Sequence, residues 1–228
     1  MKYKNLSIDE FSLDSYRRII EHALEKGYEF MTVNDFLAAG CPENNVFIMR
    51  HDFDKKPENC DIFFIAEREF GIRSTTYVRV ANNEYNPFSY QVFSKMKLAE
   101  SEGFEIGLHS NFVEFASIND CDIFELLKSE WIALSNFYRV SGMSCHRDMN
   151  YAFNSLPWVY ENWQLMESIG IKYQAYDKLL LNSVLYVNEG SDPHLCWRGL
   201  TPQEAIMTGK SICLLTHNHW WYQTHPFE

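Results

Sequence analysis

Apolar residues recur along this chain in two alternating rhythms. Leu13, Tyr16, Ile19, Ile20, Ala23 and Leu24 keep helical spacing, and Gly27 suits the stop. Residues 28–30 read as strand, 35–39 as a short helix, and 46–49 as an apolar run suited to a strand buried on both faces. Pro57 fits the first turn of a helix carrying Ile62, Phe63, Ile65, Ala66 and Phe70, closed by Gly71. The alternation continues with strands at 74–80, 104–108, 143–145, 172–175, 184–187 and 212–215. Helical segments are expected at 87–100, 120–139, 158–169 and 202–207. Strands spaced by helices indicate parallel βαβ units, and seven or eight strands favour an irregular α/β barrel over an open sheet. No repeat, low-complexity tract or linker interrupts the pattern, so residues 1–228 are expected to form a single catalytic-sized domain.

Four of the apolar runs end in histidine. VFIMR leads into His51-Asp52-Phe53-Asp54, FEIGL into His109, GMSC into His146, and ICLLT into His217-Asn218-His219. In a barrel the C-terminal strand ends share one face, which is where such folds carry their chemistry. If the chain stays extended past Arg50, Asp52 and Asp54 project to the same side. One carboxylate could then ligate a metal while the other acts as general base, because a divalent metal lowers the pKa of a bound water from about 15.7 to about 7. Taken alone, the pair could equally cap a helix or sit solvated. His109 or His146 alone could be a structural hydrogen bonder, and His217 and His219 beside Trp220-Trp221 could belong to an aromatic core cluster. Four similarly placed sites would need four independent explanations of that kind.

Charge and composition narrow the partners. A net charge of −11 argues against nonspecific binding to nucleic acid or to an anionic membrane. Local cations (Lys55, Lys56, Arg79, Arg147 and Arg198) leave an anionic small substrate open. With 17 Phe, 13 Tyr and 6 Trp, rings are available for a pocket as well as a core. The first residues have no apolar signal region, no run reaches the length of a membrane span, and the six cysteines show no CxxC spacing. A cytoplasmic protein with reduced thiols is the expectation.

The order Arg50-His51-Asp52-Phe53-Asp54, Glu105-Ile106-Gly107-Leu108-His109, Ser144-Cys145-His146-Arg147 and Leu215-Thr216-His217 resembles the polysaccharide deacetylase (NodB-homology, carbohydrate esterase 4-like) superfamily. It is closest to the branch found in surface-polysaccharide (lipopolysaccharide or capsule) biosynthesis, and the similarity spans roughly residues 46–221. The resemblance implies a distorted (β/α) barrel holding a divalent metal, usually zinc, that removes an N-acyl group (acetyl or formyl) from an amino sugar. By match, Asp52 is the base, Asp54 a metal ligand, and His217 the acid that protonates the departing amine. The family's second motif, His-Ser/Thr-x-x-His, places two histidines on the metal. Here it reads His109-Ser110-Asn111-Phe112-Val113, with Val113 in the second position. A zinc site with an open position usually keeps three protein ligands. The expected set is therefore Asp54, His109 and His146, with His51 in reserve, and with Arg147 orienting Asp52 or stabilising an oxyanion. Tyr77, Trp220 and Trp221 are expected to pack against a sugar ring. A nucleotide-activated or lipid-linked N-acyl sugar fits a cytoplasmic enzyme better than a finished polymer. The competing readings are a catalytically inactive relative that binds a glycan or partner protein, favoured by Val113, and hydrolysis of another C–N bond.

Overall fold

The computed structural model describes residues 11–146, 154–190 and 195–223. Nine strands build one sheet: β1 (Glu29–Met31), β2 (Val46–Phe53), β3 (Thr75–Arg79), β4 (Glu105–Ser110), β5 (Gly142–Cys145), β6 (Tyr173–Gln174), β7 (Leu185–Gly190), β8 (Cys196–Arg198) and β9 (Ile212–Thr216). Their order is β6-β5-β4-β3-β2-β9-β7-β8, with β1 also paired to β2. Every pairing is parallel except that of β8 with β7. The result is an α/β fold with a curled, mostly parallel sheet flanked by helices, as the alternating rhythms predict. The sheet gains a strand over the seven or eight expected, because β8 is too short and polar to show a strand pattern.

No ladder joins the edge strands β6 and β8 among the described residues, so the sheet is a half-barrel rather than a closed ring. Side chains bridge its mouth instead. Tyr176, just past β6, lies 6.3 Å from Tyr186 of β7 between ring centroids. The Arg50 guanidinium sits 4.4 Å from the Tyr176 ring.

β2 runs longer than its apolar core because it is paired on both sides. β9 pairs with residues 47–51, β3 with 50–53, and β1 with 46–48. The ladders keep the polar stretch His51-Asp52-Phe53 extended, and the period-two alternation then sorts the side chains. Phe47, Met49 and Phe53 point outward into the helix-covered cores. Val46 and Ile48 point into the concave side with Tyr77, Tyr173 and Cys213. Arg50 and Asp52 continue that inner row to the C-terminal end.

Two glycines make room for the rings that floor the concave side. A Cβ on Gly107 would lie 2.4 Å from the Tyr77 ring, and one on Gly142 would lie 2.1 Å from the Tyr173 ring. The two phenols meet at 3.2 Å, and Tyr173 also donates to Glu105.

The first helix, Leu13–Glu25, starts at Ser12, whose side chain accepts from the Ser15 backbone, and Gly27 follows it at φ +79°. Three helices depart from the sequence pattern. Phe112–Asn119 and Lys178–Ser183 have no counterpart among the expected helices, whereas Ile123–Ser135 falls within the expected 120–139. The helix expected over 158–169 is broken at Asn162 into Ser155–Glu161 and Trp163–Ser168. No helix among the described residues is long and apolar enough to cross a membrane.

Candidate metal centre

The parallel ladders place the polar ends of five strands on one rim. Arg79 is in register with His109, His109 with Ser144, and His51 with Thr216, so Asp52 lies level with His217. Asp52, Asp54, His109, His146 and His217, scattered over the sequence, thereby meet at the C-terminal end of the sheet.

Asp54, His109 and His146 form a cluster that could hold a metal ion, their candidate ligand atoms all lying within 4.8 Å of one another. His109 Nε2 is 3.2 Å and His146 Nε2 3.5 Å from Asp54 Oδ1. Atoms bonded to zinc at 2.0–2.1 Å in a tetrahedral site lie about 3.3 Å apart, so the spacing fits a shared cation. Ring chemistry points the same way. His109 Nδ1 lies 3.0 Å from the carbonyl oxygen of Ser144, which can only accept, so Nδ1 carries the proton. Nε2 is then the ring nitrogen that faces the carboxylates, 3.6 Å from Asp52 Oδ2 and 3.2 Å from Asp54 Oδ1. Arg79 Nη1 lies 3.4 Å from His146 Nε2, so the guanidinium and the cluster share that ring nitrogen. Asp54 Oδ1, at the centre, is buried without a hydrogen bond of its own. A buried carboxylate oxygen between two imidazole nitrogens is a position that a cation can fill. A histidine whose second nitrogen donates to a backbone carbonyl is the usual arrangement of a metal ligand.

Asp52 is held differently. Arg50, wholly buried, grips it with two hydrogen bonds, Nε to Oδ1 at 3.1 Å and Nη2 to Oδ2 at 2.8 Å. Ser144 donates to Oδ2 at 3.2 Å, and His109 Nε2 is 3.6 Å from the same oxygen. Burial works to raise the Asp52 pKa, but Arg50 and then His109 outweigh it and hold the carboxyl below its ordinary value. Burial likewise opposes ionisation of Asp54, which the neighbouring His109 and His146 keep well below the usual range.

His217 caps the other side. Its backbone N–H donates to Glu189 Oε1, and its Nδ1 lies 3.3 Å from the same oxygen. Nε2 is thereby turned toward the centre, 3.8 Å from Asp54 Oδ2. Burial pulls its pKa down, but Glu189 and the two aspartates overcome this and raise it to about 9. His219, by contrast, is lowered to about 4 by burial and by the positive charge of His217.

Several expected residues lie elsewhere. His51, the reserve ligand, faces away from the cluster: its Nε2 is 2.9 Å from Glu67, its Nδ1 2.6 Å from Thr216 Oγ1, and its ring stacks on Phe63. The one-residue offset from Asp52 puts it on the opposite face of β2. Tyr77 is fully buried beneath the site and cannot offer a face to a sugar. Trp221 is 1% exposed and packs edge-on against Phe11, Tyr16 and Phe63, so its ring belongs to the core as well. Trp220 is partly buried beside His219, 4.5 Å between centroids. Arg147 lies outside the described residues. Val113, on the helix that follows β4, packs against the core, and the third position of the cluster is filled from β5 by His146.

Neither a family model nor a curated protein matches this sequence.

Arg50 and Ser144, which lie in the sequence motifs without an assigned role, and Glu189, which lies outside them, are further site residues. Arg50 and Ser144 had a signal, since each lies two positions before a site residue on its own strand and so shares its face. Glu189 had none, because it reaches His217 only through the pairing of β7 with β9.

Proposed function

We propose that this chain is a metal-dependent hydrolase of the polysaccharide deacetylase (NodB) type, cleaving an N-acyl group from an amino sugar. The observation that carries the proposal is the convergence of Asp54, His109 and His146 beside a carboxylate, Asp52, that is not itself part of the cluster. That division of labour between ligands and base is what amide hydrolysis needs. The sugar half of the reading rests on the resemblance of the four strand-end segments to that superfamily. A nucleotide- or lipid-linked N-acyl sugar is the proposed form of the substrate.

A divalent cation, zinc in this proposal, would be held by Asp54, His109 and His146 and would supply Lewis-acid polarisation and an acidified water. The chain's own residues do the rest. Asp52, ionised and fixed by Arg50 and Ser144, takes the proton of the attacking water. His217, kept protonated by Glu189, gives a proton to the departing nitrogen. Buried walls below the cluster exclude bulk water from the reacting atoms.

The test is metal analysis of the purified protein together with acyl release from a panel of N-acetyl and N-formyl amino sugars, free and nucleotide-linked. One equivalent of metal and release abolished by Asp52→Asn are expected. Absence of stoichiometric metal after reconstitution would sink the reading. In that case the alternative, an inactive relative that binds a glycan, is favoured by Val113 standing where the family carries its second histidine.

A further inference from the structure

Arg79 has no role in the chemistry above, yet its guanidinium stands at the cluster. It ends β3, in register with His109, and reaches Nη1 to 3.4 Å from His146 Nε2. Its backbone is fixed by Tyr85, whose hydroxyl accepts from Arg79 N at 3.0 Å and donates to Phe53 O at 2.6 Å. Among the described residues the side chain makes no close salt bridge, although its charge reaches the buried carboxyl of Glu130, and its Nε is buried without a hydrogen-bond partner. Arg50, the other guanidinium at the site, is fully engaged by Asp52, Ser144 and Ala175 O. A part-buried guanidinium whose buried Nε lacks an acceptor costs free energy that an anionic ligand recovers. Loading a divalent cation next to it would raise that demand.

We propose that Arg79 is a catalytic residue that donates to the acyl oxygen as the carbonyl becomes an oxyanion. The inference rests on the hydrolase reading and adds to it the group that receives the developing charge. In the addition step, the water oxygen bonds to the acyl carbon, the C=O π pair moves onto the acyl oxygen, and the water proton passes to Asp52. Arg79 stabilises that oxygen by hydrogen bonding and gives up no proton. When the pair returns, the C–N bond breaks and the amine nitrogen takes a proton from His217. Asp52 then releases its proton to solvent and His217 regains one; the carboxylic acid formed on collapse loses its remaining hydroxyl proton to solvent, leaving carboxylate and amine as products. The carboxylate product carries the same kind of anionic oxygen and occupies the same position.

The experiment compares wild type, Arg79→Gln and Arg79→Lys in the zinc-loaded protein. It measures metal content, kcat and KM for acyl release from the amino-sugar panel, and calorimetric binding of acetate. Removing one oxyanion donor costs about 10²–10³ in kcat. Arg79→Gln is expected to show that loss with KM nearly unchanged, metal content still one equivalent, and acetate binding weakened at least about tenfold. Arg79→Lys should restore part of both, because it keeps the charge without the fork. A rise in KM with kcat intact would overturn the proposal and assign Arg79 to a permanent anion of the substrate. Metal content that rises in Arg79→Gln would also overturn it, since the guanidinium would then be competing for the cation position. Wild type that releases acyl groups with Arg79→Gln fully active defeats this inference alone. Wild type that releases none, yet binds acetate through Arg79, defeats the hydrolase reading and the catalytic role while leaving an anion site. Loss of neither activity nor acetate binding in any variant defeats the inference outright.

Discussion

His51 and Asp52 are neighbours on β2, and their side chains leave the strand on opposite faces into two separate buried polar networks. Asp52 belongs to the metal-side group with Arg50 and Ser144, whereas His51 joins Glu67, Thr216 and Tyr16 behind the sheet. Ser74 completes the rear group by donating to Glu67 Oε2 at 2.9 Å. Glu67→Ala would leave His51, Ser74 and Tyr16 buried without their shared acceptor, at about 1–3 kcal/mol per orphaned group before relaxation. Chemical denaturation should register a loss of several kcal/mol. An unchanged midpoint would mean that the rear network does not stabilise the fold.

Metal binding should follow the cluster and not the family's usual spacing. His109→Ala and His146→Ala are each expected to lower bound metal far below one equivalent, while Val113→Ala leaves it intact. Elemental analysis after dialysis reads this directly. Retention of full metal by His146→Ala would remove β5 from the site.

The Arg50–Asp52 pair is wholly buried, so its partners stand or fall together. Arg50→Met strands the carboxylate and should cost about 3–5 kcal/mol. The Asp52 pKa is lowered on folding, so its ionisation adds stability that is complete above the unfolded value and disappears as pH falls through the lower folded one. Arg50→Met should therefore flatten the acid side of the stability curve below about pH 4, measured by thermal melts across pH. Deacylation should also acquire an acidic limb at higher pH, because a desolvated Asp52 protonates more readily.

His217 titrates in the other sense. Its pKa is raised to about 9, so the stability it adds is present in full below the ordinary histidine value of 6.5 and is lost as pH rises through about 9. Glu189→Gln should bring the His217 transition down toward neutral in NMR titration of the metal-free protein. An unmoved transition would assign the shift to the aspartates alone.

Gly142→Ala tests the floor of the site. The new methyl would overlap the Tyr173 ring at 2.1 Å, and overpacking of this kind costs about 1–3 kcal/mol or more. Tyr173→Ala in the same chain should give a double variant whose loss is less than the sum of the two. Additive losses would show that the ring is free to move aside.

Much of this arrangement could be read from local pattern. The apolar runs of β2, β4 and β9 are long enough to announce themselves, and each ends in a polar group that the parallel ladders carry to one rim. Asp52, Asp54, His109, His146 and His217 therefore meet as their positions suggest. What local pattern did not carry was contact through the sheet. His51 stood in reserve as a ligand, but adjacency to Asp52 on a strand means opposite faces. Tyr77 and Trp221 looked available because ring chemistry alone does not distinguish a pocket wall from a core. Phe112–Asn119 carried no helix expectation, and the αL residue Asp120 that ends it leaves no glycine or proline mark.

β2 is paired to β1, β3 and β9, is buried along its whole length, and carries Asp52 one residue before its end, with Asp54 just past it. The same strand is thus the spine of the molecule and the ruler of its reaction centre. Asp52 cannot shift there without breaking its register with Tyr77 of β3. Heat should accordingly remove metal binding and the native fold in one transition, with no temperature at which a folded protein has already lost its centre.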